Sequence, residues 1–300
     1  MEESIFIGAT RHMDILHDRL HEQLKSLVNE GLQVRMEKSP DGKFTFVACN
    51  FIGLGAGQKR KYVRTVCMDN VANTICEIIL NHWEKVILEN LIKETFYYFN
   101  AEERNTILSH ALEHISNKDE AVYITYRHQR KKKILSELSE FLSTNNYIVI
   151  DGFIRFRLKD YVNELYEVAE QAVDEFLMER EYREFIQLLK YFVDIQDPRV
   201  SCVNVTMDAD GVFKLYDENG ELIDNNNMEE FMIEFISSEI NYEDLLISSL
   251  VTVAPSEIVF HFQPKKNQKV TVETIKKVFP GKVKYCSGCS LCDKGKQPQK

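Results

Sequence analysis

"YVNELYEVAEQAVDEFLMEREYREFIQLLKYFVDI", residues 161–195, decides the fold. Val162, Leu165, Tyr166, Ala169, Ala172, Val173, Phe176 and Leu177 recur in alternating steps of three and four, the period that gathers apolar side chains on one helical face. The phase slips at Arg180, where the stripe requires an apolar residue, and resumes at Tyr182, Phe185, Ile186, Leu189, Phe192 and Val193. The spacing predicts two helices joined by a tight bend.

Upstream of this stretch the sequence stays helical almost back to Tyr62, with hardly a Gly or Pro to punctuate it. Val63, Val66, Cys67, Val71, Ile75, Ile78, Ile79, Val86 and Ile87 line a helix that would pass 50 Å if unbroken to Phe99, at about 1.5 Å per residue. A break is therefore expected near Asn81 or Phe96. A second helix is expected near Ala101, behind Asn100 as its cap, and a third near Gln129. "NNYIVIDGFIRFRL", 145–158, interrupts the run with β-branched and aromatic residues and reads as a short hairpin or an extended connector.

Both ends read differently. "SIFIG", 4–8, is a short strand, and Met13, Leu16, Leu20, Leu24, Leu27 and Val28 then fall at helical spacing up to Gly31. "LQVRMEK" and "KFTFVACN" flank Pro40-Asp41-Gly42 as a hairpin. Beyond Asp197-Pro198 the order is strand ("SCVNVTMD"), turn (Asp210-Gly211), strand ("VFKLYD"), helix from about Met228, strand ("EIVFHF"), helix ("VETIKKVF") and strand ("KVKYC"). The last crossover exceeds the dozen residues that a parallel connection needs. The fold class is α+β: a central all-helical region flanked by a small N-terminal β-α-β-β unit and a C-terminal mixed α/β unit, with the two sheets left free to combine. The expected divisions are 1–58, 59–197, 198–288 and a Cys/Lys-rich tail, 289–300.

Of 300 residues, 44% are hydrophobic, enough for a substantial core, and the net charge of −10 disfavours a general nucleic-acid binder. The charge is uneven. Residues 159–254 carry 23 acidic and 6 basic side chains, whereas 255–300 carry 3 and 10. That asymmetry suggests docking within the chain or separate partners, set against ordinary solvated helix faces. The N-terminus lacks the basic and apolar regions of a secretory signal, and no apolar run reaches the roughly 18–20 residues of a membrane span. A cytoplasmic protein is expected.

Three of the seven cysteines close the chain in "KYCSGCSLCDKGKQPQK", 284–300, as C-x-x-C-x-x-C. Two intervening residues let Cys286 and Cys289 converge on one ion, and Cys292 adds a third thiolate. The run resembles the cluster-binding run of bacterial ferredoxins, but Lys296 stands in the fourth position and the proline is displaced to Pro298. Three ligands leave a tetrahedral site incomplete. If the last βαβ unit is parallel, "EIVFHF" and "KVKYC" end at one edge and His261 lies near Cys286; Cys202, at the start of its strand, is a weaker candidate. Zinc and an iron-sulfur cluster are both open, as are a redox dithiol and three functionless thiols on a frayed tail.

Other motifs carry less. Arg155, Arg157 and Lys159 alternate with Phe153, Ile154, Phe156 and Leu158 as a half-buried ribbon whose basic face would bind an anion. "GLGAGQKRK", 53–61, matches neither glycine-rich nucleotide fingerprint and reads as a linker. The pairs His17/His21 and His110/His114 each share a helix face without the Glu of the metalloprotease pattern. "RHQRKKK", 127–133, is a basic helix start open to nucleic acid, an anionic membrane or the acidic segment of the same chain. "DADG", 208–211, lacks the later ligands of a calcium loop and reads as a hairpin turn.

"FRLKDY" leading into an acidic amphipathic helix, followed by "EYREFIQLLKYFV", resembles the YtxC-like family of sporulation proteins from endospore-forming bacteria. The resemblance covers roughly residues 60–200. It implies a cytoplasmic protein needed around sporulation and supplies no catalytic residue. With no catalytic constellation legible either, the expectation is a non-enzymatic protein acting through contacts with a protein partner, the alternative being a metal or redox protein built on the cysteine cluster.

Overall fold

The computed structural model describes residues 2–29, 33–52, 57–116, 120–208, 212–223, 242–265 and 268–294. The chain is α+β and divides into two compact units, Met1–Leu177 and Met178–Lys300. Each holds one four-stranded sheet, and the two sheets are separate.

The first unit opens with β1 (Glu2–Ala9), α1 (Met13–Asn29) and the hairpin β2 (Gln33–Asp41)/β3 (Phe44–Ile52). Gly42 turns the hairpin at a φ of 61°, which a residue without Cβ adopts freely. Strand order is β2-β3-β1-β4, with β4 (Tyr147–Val149) parallel to β1. Ile5, Ile7 and Ala9 alternate inward and meet Met13, Leu16, Leu20 and Leu24 of α1 in the core. On the outer face Gly8 leaves room for the Phe46 ring, 2.3 Å from where a Cβ would lie.

The long apolar stripe after Tyr62 is interrupted where helix length requires it. α2 (Gly57–Ile78) passes through a π-helical turn, Ile79–Trp83, into α3 (Glu84–Thr95), which ends at Phe96, the second of the two expected break points, while at Asn81 the backbone stays helical. The Glu84 N–H donates to the Ile79 carbonyl, five residues back, and the extra residue in that turn brings Trp83 and Glu84 inward. α4 (Ala101–Ser116) begins on a capping box: the Glu102 and Glu103 N–H groups donate to Asn100 Oδ1, and the Asn100 N–H donates to the Glu103 carboxylate.

Three expectations change. α5 runs Glu120–Thr144, starting nine residues before Gln129, because extending a helix already packed through Ile134, Leu138 and Leu142 costs little per residue. Residues 145–158 form neither a hairpin nor an extended connector: after β4 they coil into α6 (Ile150–Arg157). The cause is long-range, since the Thr10 N–H and hydroxyl both donate to the Asp151 carboxylate, while Ile150, Phe153 and Ile154 bury one helical face. Finally α7 (Lys159–Ile195) is a single helix of 37 residues, without the expected break at Arg180. Tyr161, Leu165, Ala169, Ala172, Val173 and Phe176 belong to the first core, and Ile186 and Val193 to the second. The slip at Arg180 marks a change of buried face, which a continuous helix tolerates.

In the second unit the order is β6-β5-β7-β8. β5 (Val200–Met207), β7 (Pro255–Phe260) and β8 (Val283–Tyr285) are parallel, and β6 (Phe213–Tyr216) is an antiparallel edge. α8 (Tyr242–Val253) ends on Ala254, whose φ of 47° reverses the chain directly into β7. The helix expected from about Met228 falls on 224–241, outside the described residues. α9 (Lys269–Val278) buries Thr271, Val272, Thr274, Ile275 and Val278 on the sheet side and completes the parallel βαβ unit.

Candidate metal centre

β7 and β8 pair in parallel with Ile258 opposite Val283 and Phe260 opposite Tyr285. The next residues on the two strands are therefore His261 and Cys286. The Cys286 N–H donates to the Phe260 carbonyl at 2.9 Å, and the His261 N–H donates to the Val205 carbonyl of β5 at 2.9 Å, so the ladder carries both residues to one edge. This is the carboxyl edge of three parallel strands, where parallel α/β sheets place their ligands.

The chain then folds back over that edge. The Gly288 N–H, on a backbone with φ 132°, lies 3.4 Å from Cys286 Sγ, and Cys289 leads into the short helix α10 (Ser290–Lys294). The N–H groups of Cys292 and Leu291 point at Cys289 Sγ and hold its thiol below the ordinary range, while burial pushes Cys292 up. Cys289 Sγ stands 3.2 Å and Cys292 Sγ 3.6 Å from His261 Nδ1. With Cys286 Sγ, these ligand-capable atoms all lie within 4.8 Å of one another. His261, Cys286 and Cys292 border a hollow of about 560 Å³ that extends past Met207, Asp208, Phe262 and Lys265.

Asn204 decides which imidazole nitrogen faces the sulfurs. Its Nδ2 donates to the Asp217 carbonyl at 2.8 Å, which leaves Oδ1 as the atom 2.8 Å from His261 Nε2. An amide oxygen only accepts, so Nε2 carries the proton and the Nδ1 lone pair points at the thiols. Burial also lowers the His261 pKa, favouring the neutral ring that a metal needs. Asn204 was not legible as a site residue: in "SCVNVTMD" it is one polar residue in an alternating strand, and its role depends on a carbonyl 13 residues away.

The other candidates lie elsewhere. Cys202 is opposite Glu257 in the β5–β7 ladder, short of the strand end and outside the group of four, with its thiol pushed up chiefly by burial. Cys49, Cys67 and Cys76 are buried in the first unit, their thiols raised to about 12, 11 and 12. Arg155, Arg157 and Lys159 form no ribbon, because 150–157 is helical and places Arg155 and Arg157 on opposing faces. The rings of His17 and His21 stack 6.5 Å apart, and His110 and His114 share the Glu175 carboxylate at 3.8 and 3.0 Å. The basic run meets acids within the first unit: Arg127 and Lys131 pair with Glu77, Arg130 with Glu84, and Lys133 with Glu164 of the acidic segment. Residues 53–56 and 209–211 lie outside the described residues, although the Val212 N–H donates to Asp208 Oδ1 as the chain re-enters β6. Among the described residues, no helix is long and apolar enough to cross a membrane.

Comparison with known proteins gives one family. The YtxC-like family model matches residues 69–284, a span that includes Asn204 and His261 and stops two residues before Cys286. The uncharacterized protein YtxC of Bacillus subtilis (strain 168) is 31% identical over 189 residues, covering 62% of this chain and 66% of that protein. The alignment thus spans about two thirds of the relative's length. No solved structure matches.

Proposed function

The chain belongs to the YtxC-like family, and from the four atoms gathered at the edge of its second sheet we propose that it is a metal-binding protein holding one zinc ion through Cys286, Cys289, Cys292 and His261. The observation that carries this reading is their mutual approach within 4.8 Å. Around zinc, Zn–S bonds of about 2.3 Å and Zn–N bonds of about 2.0–2.1 Å give tetrahedral edges of roughly 3.8 Å between sulfurs and 3.5 Å between sulfur and nitrogen. The separations of 3.2 and 3.6 Å from His261 Nδ1 fit that figure. In an iron-sulfur cubane each thiolate serves a different iron, which holds the sulfurs further apart than this set stands.

Four protein ligands leave no open position for a substrate, so the ion is structural: it ties the last residues of the chain to the sheet edge. A non-enzymatic, cytoplasmic role around sporulation, exercised through contact with a protein partner, accords with the family resemblance. Elemental analysis of anaerobically purified protein tests the metal reading. A colourless protein with one zinc per chain is expected, and Cys286→Ser or Cys289→Ser should lose it. Protein without stoichiometric metal, or a brown preparation absorbing near 400 nm, would overturn it.

Asn204 gives a finer check. A metal-bound histidine is oriented by the partner of its other nitrogen, and removing such a partner typically costs 10–100-fold in affinity. Asn204→Ala should therefore bind zinc about 10–100-fold more weakly in competition with a chromogenic chelator, with stoichiometry unchanged at saturation.

A further inference from the structure

One of the four gathered side chains differs from the rest in its access to water: Cys289 is exposed, whereas Cys286, Cys292 and His261 are half-buried. Its sulfur is therefore the one that a small oxidant meets first. A second thiol stands on the same turn. The Cys292 N–H donates to the Cys289 carbonyl at 3.0 Å, a closure from i to i+3 that keeps the two Cα atoms within about 7 Å. A disulfide spans Cα separations of about 4.4–6.8 Å, so Cys289 and Cys292 join with little movement of the backbone. Cys286 is placed differently, since its N–H is held by the Phe260 carbonyl at the end of the β7–β8 ladder.

The remaining thiols do not compete. Cys49, Cys67 and Cys76 are 0–1% exposed in the core of the first unit, and Cys202 is half-buried in β5 outside the group of four. Oxidation selects exposed sulfurs with thiolate character, and a cysteine that ligates zinc is a thiolate. We propose that Cys289 and Cys292 form a redox modification site, which hydrogen peroxide closes into a disulfide and which thereby releases the zinc ion. The proposal rests on the zinc reading above.

The Cys289 thiolate attacks one peroxide oxygen; an S–O bond forms as the O–O bond breaks, leaving a sulfenic acid and a hydroxide. The Cys292 thiolate then attacks the Cys289 sulfur, the S–S bond forms, the S–O bond breaks, and a second hydroxide leaves. Both hydroxides take up protons. Two thiolates, two protons and one peroxide thus become one disulfide and two waters, the two electrons passing from the sulfurs to the peroxide. Cys286 and His261 are then the only ligands left, half of a tetrahedral set.

The test is to count zinc in the anaerobically purified full chain by elemental analysis and then expose that sample to a modest excess of hydrogen peroxide. A chromogenic chelator should record the loss of one zinc per chain, in step with the loss of two hydrogens by intact mass and a Cys289–Cys292 link in the peptide map. Dithiothreitol with added zinc should restore the starting state, and Cys202→Ser should release zinc at the wild-type rate. Protein that carries zinc and keeps it under peroxide, links Cys286 or Cys202 instead, or stops at a sulfinic acid would overturn this proposal and leave the zinc reading standing. Protein that carries no zinc before oxidation would overturn both.

Discussion

Replacing Arg130 by methionine should destabilise the first unit by about 3–5 kcal/mol, because it strands a buried carboxylate. Glu84 lies in the core beside the π-helical turn, with Arg130 Nη1 at 3.4 Å and the Tyr161 hydroxyl donating to it at 2.7 Å. Arg130 is itself nearly buried and donates from Nη2 to the Ile115 carbonyl at 3.2 Å. Burial already pushes the Glu84 carboxyl up, against the opposing pull of Arg130 and Tyr161. Without the guanidinium that rise grows. A carboxyl whose folded pKa lies above its unfolded value is penalised once pH rises past the unfolded value, so the deficit should be largest near neutral pH and shrink as pH falls back through the raised folded value.

The chain's single tryptophan, Trp83, adjoins Glu84 in this core, so its fluorescence during urea unfolding follows the first unit. Pairing Arg130→Met with Glu84→Gln should recover most of the loss, since no charge then remains to be buried. Equal destabilisation by the single and the double variant would show that Arg130 acts through packing alone.

What sequence reading recovered and what it missed divide by the range of the deciding interaction. The hairpin at Pro40-Asp41-Gly42 and the cap at Asn100 are set within a few residues, and both are where the pattern places them. The proximity of His261 to Cys286 was also legible, because a parallel crossover of known length puts the ends of β7 and β8 side by side. By contrast, α6 has the composition of a strand and is helical because Asp151 answers Thr10, 141 residues away in sequence. The continuity of α7 was misread for a related reason: periodicity reports which face is buried, and here the buried face changes at Arg180 while the helix continues. Asn204 adds a third case, a residue whose meaning arises only when Asp217 fixes its amide.

If Cys286, Cys289, Cys292 and His261 hold zinc as proposed, its removal should loosen the end of the second unit, where the elements are short. β8 is three residues long and α10 five, lengths at which neither a strand nor a helix persists without tertiary support. Beyond Cys286 the described tail meets the sheet edge through Cys289 and Cys292 at His261 and where α10 lies against β5. Binding to the folded form alone stabilises by about 4 kcal/mol when free metal exceeds its Kd a thousandfold. A high-affinity chelator should therefore speed amide exchange in β8 and α10 by about a thousandfold, while the β1–β3 amides and the Trp83 unfolding transition stay as they were. Cys289→Ser should reproduce that pattern without chelator. Unchanged exchange in β8 after verified metal loss would mean that the edge is held by the ladder alone, and that the thiolates serve the ion rather than the fold.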